Sequence, residues 1–136
     1  MQISIPMRPR LYLLALIGQE SGGLEDEKRM IATELLYKIE VPSDEIGLYE
    51  TPMPQGGAYL HLDRIAQAPD LPVDLTAAEL RRAQSLFTEW KNYRPGDDRF
   101  VRPFLKTIRE ALEAGDSVSA PPPVAAIAKR KSANGL

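Results

Sequence analysis

Cysteine is absent and histidine occurs once, which restricts the chemistry available to this 136-residue chain. Without cysteine there is no disulfide, no thiolate nucleophile and no cysteine-ligated zinc or iron–sulfur site. A Ser–His–Asp arrangement would depend wholly on His61, and a zinc site would need ligands that the chain does not supply. We therefore expect no metal, no cofactor, no small-molecule substrate and no catalytic residue.

One segment offers an alternative to this expectation. Residues 17–23 read Ile-Gly-Gln-Glu-Ser-Gly-Gly. They resemble the Glu-Ser segment of lytic transglycosylases, and residues 47–50 and 57–60 echo other segments of that family. The resemblance implies a general acid at Glu20. However, Glu50 stands where the family has glutamine, and no Ala-Tyr-Asn segment follows. A general acid also needs an apolar pocket that raises the pKa of its carboxyl group. The glycines and acidic residues beside Glu20 favour an open loop instead.

A row of cations on one predicted helix is a candidate binding feature. At 100° per residue, four basic side chains fall within about 80° on a helical wheel, opposite an apolar stripe. They are Arg99, Arg102, Lys106 and Arg109. Such a row could bind phosphate or an acidic protein partner, and it is equally typical of a solvated helix face.

Composition indicates a small soluble globular protein. Apolar residues make up 43% and charged residues 26% of the chain, and the formal charge is −2. The longest apolar run, residues 11–17, is too short for a bilayer, and residues 1–6 do not form a signal peptide. The helix that follows Gly23 opens on acidic residues, which argues against a DNA-binding helix-turn-helix. We expect neither a membrane nor a nucleic-acid partner.

Hydrophobic periodicity predicts a mainly α domain of four main helices with a minor β-strand or hairpin element. The predicted helices cover residues 10–19, the stretch from a cap at Ser21 or Gly23 to Val41, residues 76–91 behind a capping box, and a last stretch from beyond Gly96 to Ala114. Pro103 is expected in the first turn of the last helix. Alternation over residues 58–62 predicts a short strand, with which residues 71–75 could pair.

Both ends differ in composition from the predicted helical domain, residues 10–115. Residues 1–9 are predicted to form an extended arm, because two apolar side chains alternate with polar ones and Pro6 and Pro9 exclude a helix interior. Residues 116–136 form a Pro/Ala-rich basic tail. Extended segments bind partners readily. The expected contact residues in the two ends are Ile3, Ile5, Pro121, Pro122, Pro123, Val124 and Ile127.

A family resemblance suggests a biological setting. Residues 10–17, a glycine-containing break, residues 29–36 and the acidic residues 43–45 together resemble small uncharacterised helical proteins encoded among bacteriophage and prophage genes. The resemblance covers about residues 8–112 and implies a phage context, in the virion or the host cytoplasm. The first hypothesis is a non-enzymatic virion or capsid assembly component that binds neighbouring subunits. The alternatives are a small regulator that binds one host protein through the acidic first half, and the transglycosylase.

Overall fold

The computed structural model describes residues 1–19 and 26–119, with side chains as far as residue 115 in the last helix. The helices are α1 (Met7–Gly18), α2 (Asp26–Ile39), α3 (Leu62–Gln67), α4 (Ala77–Thr88) and α5 (Pro95–Ser119), with one 3-10 turn at Ile46–Leu48. The strands are β1 (Gln2–Ile5), β2 (Glu50–Pro52), β3 (Ala58–Leu60) and β4 (Leu71–Asp74). The predicted class is confirmed: four main helices and a minor antiparallel β element.

The strands form two separate antiparallel pairs. β1 pairs with β4, with Ile3 opposite Val73, and β2 pairs with β3 through a turn in which Gly56 and Gly57 have positive φ. The strand predicted at residues 58–62 is present, but its predicted pairing with residues 71–75 is wrong. The chain turns into α3 directly after β3, and β4 instead completes its hydrogen bonds with β1.

The main core lies between β1 and four helices. Alternation along β1 places Ile3 and Ile5 inward, where they are 7% and 0% exposed, and leaves Gln2 and Ser4 outside. Leu75, which lies between β4 and α4, and buried side chains from every main helix complete the cluster; the helical members are Leu13, Leu16, Leu35, Ile39, Leu80, Ala83, Leu86, Phe87, Val101, Phe104 and Ile108. Residues 1–9 are therefore not a free arm, and the prediction that Ile3 and Ile5 bind a partner is wrong, because their own domain buries them.

The first helix begins earlier than expected, at Met7 instead of Arg10. Pro9 falls in its first turn, where the missing amide donor costs no hydrogen bond. Arg10 then points into the fold: its Nε donates to the carbonyl oxygen of Ile39 at 2.5 Å and a terminal nitrogen donates to Glu40 at 2.7 Å. The guanidinium thus satisfies carbonyls at the end of α2, and its burial lowers the pKa of Arg10.

The capping box predicted at the start of α4 is confirmed. Thr76 Oγ1 accepts from the Glu79 amide at 3.1 Å, and Glu79 Oε1 accepts from the Thr76 amide at 2.9 Å. The same carboxylate, almost fully buried, receives a 2.8 Å hydrogen bond from Lys38 of α2. Glu79 of the capping box therefore also links α4 to α2.

The last helix is longer than predicted at both ends. It begins at Pro95, continues past Gly115 and reaches Ser119, beyond the proposed domain boundary at residue 115. Pro103 consequently lies inside the helix and not in its first turn, which Pro95 occupies. Among the described helices, none combines the length and the apolar composition that crossing a bilayer requires.

Candidate protein-binding surfaces

Large apolar side chains are exposed along the segment that runs from the end of the 3-10 turn to the start of α3. Leu48, Met53, Tyr59 and Leu62 are 48%, 36%, 60% and 52% exposed. We call these four side chains the hairpin surface. Most of the β2–β3 hairpin is solvent-exposed on both faces, so its side chains are available to another molecule. Large exposed apolar side chains close together in the chain make this segment a candidate protein-binding site.

A small hydrophobic cluster holds the hairpin surface in place. Its buried members are Met7, Leu11 and Ile65. Partly buried side chains from the segment between α2 and β2, from β3 and from the residue after α3 pack around them: Val41, Ile46, Tyr49, Leu60 and Ala68. The cluster thus fixes one side of the hairpin on α1 and α3, while the other side stays in solvent.

Polar contacts fix the end of the hairpin. The amide of His61 donates to the carbonyl oxygen of Tyr49 at 2.8 Å, and the His61 ring nitrogen Nε2 lies 2.8 Å from Thr51 Oγ1. The Tyr59 ring meets the His61 ring edge-on, with centroids 5.5 Å apart. The single histidine therefore orders the hairpin and contributes to the position of the exposed Tyr59 ring.

A groove continues from this surface toward α5. It has a volume of about 420 Å³, is lined mainly by apolar atoms, and shares Leu62 with the hairpin surface. Residues from the start of α1, from α3 and the turn after it, and from α5 line it: Pro6, Met7, Arg8, Leu62, Asp63, Ile65, Ala66, Ala68, Asp70 and Phe100. We call it the α1–α3–α5 groove. Its volume falls within the range of about 300–1,000 Å³ that is usual for ligand pockets.

Hydrogen bonds and ring contacts fix the α5 wall of the groove. The guanidinium of Arg8 stacks 4.1 Å from the centroid of the Phe100 ring, and Arg8 Nε donates to the Tyr12 hydroxyl at 2.7 Å. That hydroxyl donates to Asp97 Oδ1 at 2.9 Å. Burial, together with the bond to Asp97, raises the pKa of Tyr12. The wall is consequently preorganised, which reduces the entropy that a ligand would lose on binding.

The predicted row of cations lies on the solvent face of α5. Arg99, Arg102, Lys106 and Arg109 are all exposed. Arg102 Nε donates to Asp98 Oδ2 at 2.7 Å, which raises the pKa of Arg102 and lowers that of Asp98. The row is therefore partly neutralised by its own helix, and its role in binding an acidic partner stays a prediction.

Next to this row, the ring of Tyr93 joins the aromatic packing between α4 and α5. It meets Trp90 edge-on at 5.4 Å, and its hydroxyl donates to Asp98. Burial and the adjacent carboxylate raise the pKa of Tyr93 to about 12. Trp90 also packs against Tyr12 at 5.2 Å. Both rings anchor helices here, and the structure gives them a packing role.

Several predicted site residues lie outside the described ranges, namely Glu20 of the transglycosylase alternative and Pro121, Pro122, Pro123, Val124 and Ile127 of the tail. The structure brings the four cations together, whereas it places Ile3 and Ile5 in the core. Sequence reasoning missed the groove, because its lining comes from three elements far apart in the chain. Within residues 1–19 and 26–119, no group of three histidine or carboxylate side chains is arranged to hold a metal ion.

Comparison of the chain with protein-family models, with curated proteins and with solved structures finds no match.

Proposed function

We propose that this protein is a non-enzymatic structural or assembly component that binds neighbouring protein subunits, in the bacteriophage setting that the sequence resemblance implies. The observation that carries the proposal is the hairpin surface. Its four apolar side chains are exposed on a segment that a buried cluster holds in place. An ordered apolar surface loses little entropy when a partner covers it, and aromatic side chains such as Tyr59 supply much of the binding energy in protein interfaces.

The proposal differs from the sequence hypothesis in which part of the chain makes contact. Ile3 and Ile5 of the N-terminal strand are buried in the core, so their side chains are not exposed to a neighbouring subunit. The hairpin surface takes its place, and the C-terminal tail keeps the role that its composition predicts.

Density-gradient fractionation of cells that produce the protein tests the proposal. We expect the wild-type protein to cosediment with a particle. The variant Tyr59→Ser, which lacks the exposed aromatic ring, should be lost from the particle fraction. Gln55→Ser, at an exposed polar position of the same hairpin, is the matched control and should stay with the particle. Wild-type protein found only at the mass of the free chain would contradict the assembly function.

A second candidate is a regulator that binds one host protein, and the outer face of α2 favours it. Met30 and Tyr37 are 68% and 64% exposed, and the exposed Glu34 lies between them. Met30 and Tyr37 are seven positions apart, so they lie on one helix face about 10 Å apart along the axis. A stable 1:1 complex that Tyr37→Ser abolishes and Tyr59→Ser does not, without particle association, would favour this function over assembly.

A further inference from the structure

We propose that the α1–α3–α5 groove receives residues 124–131 of a second copy of this chain. The proposal rests on the assembly function and deepens it, because it names one contact through which subunits join. Three observations carry it: the chemistry of the groove, the sequence of the tail, and the distance between the groove and the end of α5.

The floor of the groove is apolar and its rim is mainly acidic. Met7 and Ile65 form a buried floor, at 5% and 6% exposure, and Leu62 and Phe100 form the sides. The exposed carboxylates of Asp63 and Asp70 stand at the rim. The one guanidinium in the lining, that of Arg8, is already engaged with Tyr12 and Phe100. The groove therefore favours an apolar segment that carries positive charge at one end.

The tail has this sequence. Residues 124–128 read Val-Ala-Ala-Ile-Ala and are followed directly by Lys129, Arg130 and Lys131. Small aliphatic side chains suit a groove of about 420 Å³, and the three cations can pair with the rim carboxylates. The three prolines before this segment favour an extended backbone, so fewer conformations are lost on docking.

The position of the tail points to a second copy as the source of the segment. Phe100 lines the groove and lies nineteen positions before Ser119 on α5, a distance of about 28 Å along the helix. Val124 follows Ser119 by five residues, which span at most about 18 Å when fully extended. A Cβ added at Gly115 would clash with the Met1 side chain, so this part of α5 lies beside the start of β1, whereas the groove begins after the end of β1. Val124 of the same chain therefore falls short of the groove.

Two full-length variants test this contact by complementation. Ile127→Asp puts a charge in the apolar part of the tail and leaves the groove intact. Ala66→Arg puts a cation at an exposed position of the groove lining and leaves the tail intact. Gln67→Arg, one residue further on and outside the lining, is the matched control. Circular dichroism and thermal melting establish that each variant is folded.

Sedimentation velocity gives the readout. Wild-type chain and Gln67→Arg should self-associate, and each of the two test variants should associate at least about tenfold more weakly. A mixture of Ile127→Asp with Ala66→Arg should form a 1:1 heterodimer, since one copy supplies the tail and the other the groove. A wild-type chain that stays monomeric, variants that associate like wild type, or a mixture that stays monomeric would overturn the proposal.

Asp63→Lys provides a second groove variant at an exposed position. Asp63→Lys alone should weaken self-association, because its cation repels the basic tail. Self-association should be restored when residues 129–131 of the same chain are also replaced by glutamate. The groove contact and the assembly function fail separately. If Ala66→Arg and Ile127→Asp self-associate like the wild type, while Tyr59→Ser no longer cosediments with the particle, the groove assignment is wrong and the assembly function stands.

Discussion

The main core and the small cluster beneath the hairpin are built very differently. In the described part of the chain, the main core buries fourteen side chains from β1, four helices and Leu75, whereas the small cluster buries three. The main core is enclosed by four helices and the β1–β4 strand pair. The small cluster is covered by a hairpin and a six-residue helix, and large apolar side chains remain exposed beside it. Stability resides mainly in the first region, and the surface available to partners lies in the second.

The comparison shows how a small domain can carry an apolar binding surface without losing its fold. An isolated two-stranded hairpin is at best marginally stable in water. The β2–β3 hairpin here is anchored to α1 and α3 through Leu60, Tyr49 and Ile65. Because the core does not depend on the exposed side chains, substitutions on the two sides should separate stability from binding.

The largest effect is expected from a core substitution. Ile5→Ala removes a fully buried side chain and should lower the free energy of unfolding by about 2–5 kcal/mol, measured by urea denaturation. Ile65→Ala is the matched substitution in the small cluster and should cost less, about 2 kcal/mol, because the hairpin can partly collapse onto the cavity. Equal losses at the two positions would contradict the division into a core and a lightly packed cluster.

A smaller effect is expected at the capping box. Glu79→Ala removes the acceptor for the Thr76 amide and the buried partner of Lys38, and should cost about 1–3 kcal/mol. Thr76→Ala removes only the Oγ1 acceptor and should cost about 1 kcal/mol. Thermal denaturation of the two variants checks the order. A larger loss for Thr76→Ala would mean that the contact with Lys38 contributes nothing.

The pH dependence near α5 follows from Tyr93. Its pKa is raised to about 12 in the folded protein, against about 10 for an unfolded tyrosine. The associated stability is fully present below pH 10 and is lost as the pH rises toward 12, because only the unfolded chain releases the proton in this window. Stability of the wild type should therefore fall more steeply than that of Tyr93→Phe between pH 10 and 12. Parallel curves in chemical denaturation would refute the assignment.

The smallest effect on stability is expected on the hairpin surface. Tyr59→Ser should change the free energy of unfolding by less than about 0.5 kcal/mol, because the ring is 60% exposed. The same substitution should weaken partner binding by about tenfold or more. A loss of stability as large as that of Ile65→Ala would show that the ring supports the fold, and the hairpin surface would lose its central residue.

The sequence predicted those features whose signals are local. Thr76 and Glu79 lie three residues apart, so the capping box could be recognised without knowledge of the fold. The apolar stripe of α5 was likewise evident, because Val101, Phe104 and Ile108 recur at helical spacing. Local chemistry determines both features.

Features that join distant segments could not be predicted in this way. The alternation of Ile3 and Ile5 indicates a strand with one apolar face, but it does not identify what covers that face. Helices distant in the sequence cover the face, and the strand that pairs with β1 lies more than sixty residues further along the chain. The groove has the same origin, since Met7, Leu62 and Phe100 meet only after three elements pack. The row of cations, in contrast, belongs to one helix and was placed correctly.

The pairing of β1 with β4 also has a consequence during protein synthesis. About seventy residues separate the two strands, and translation at about 5–20 residues per second means that roughly 4–14 s pass between their appearances. The core is completed still later, when Val101, Phe104 and Ile108 have been added. Until then the nascent chain presents Ile3 and Ile5 uncovered, because the elements that bury them follow later in the chain.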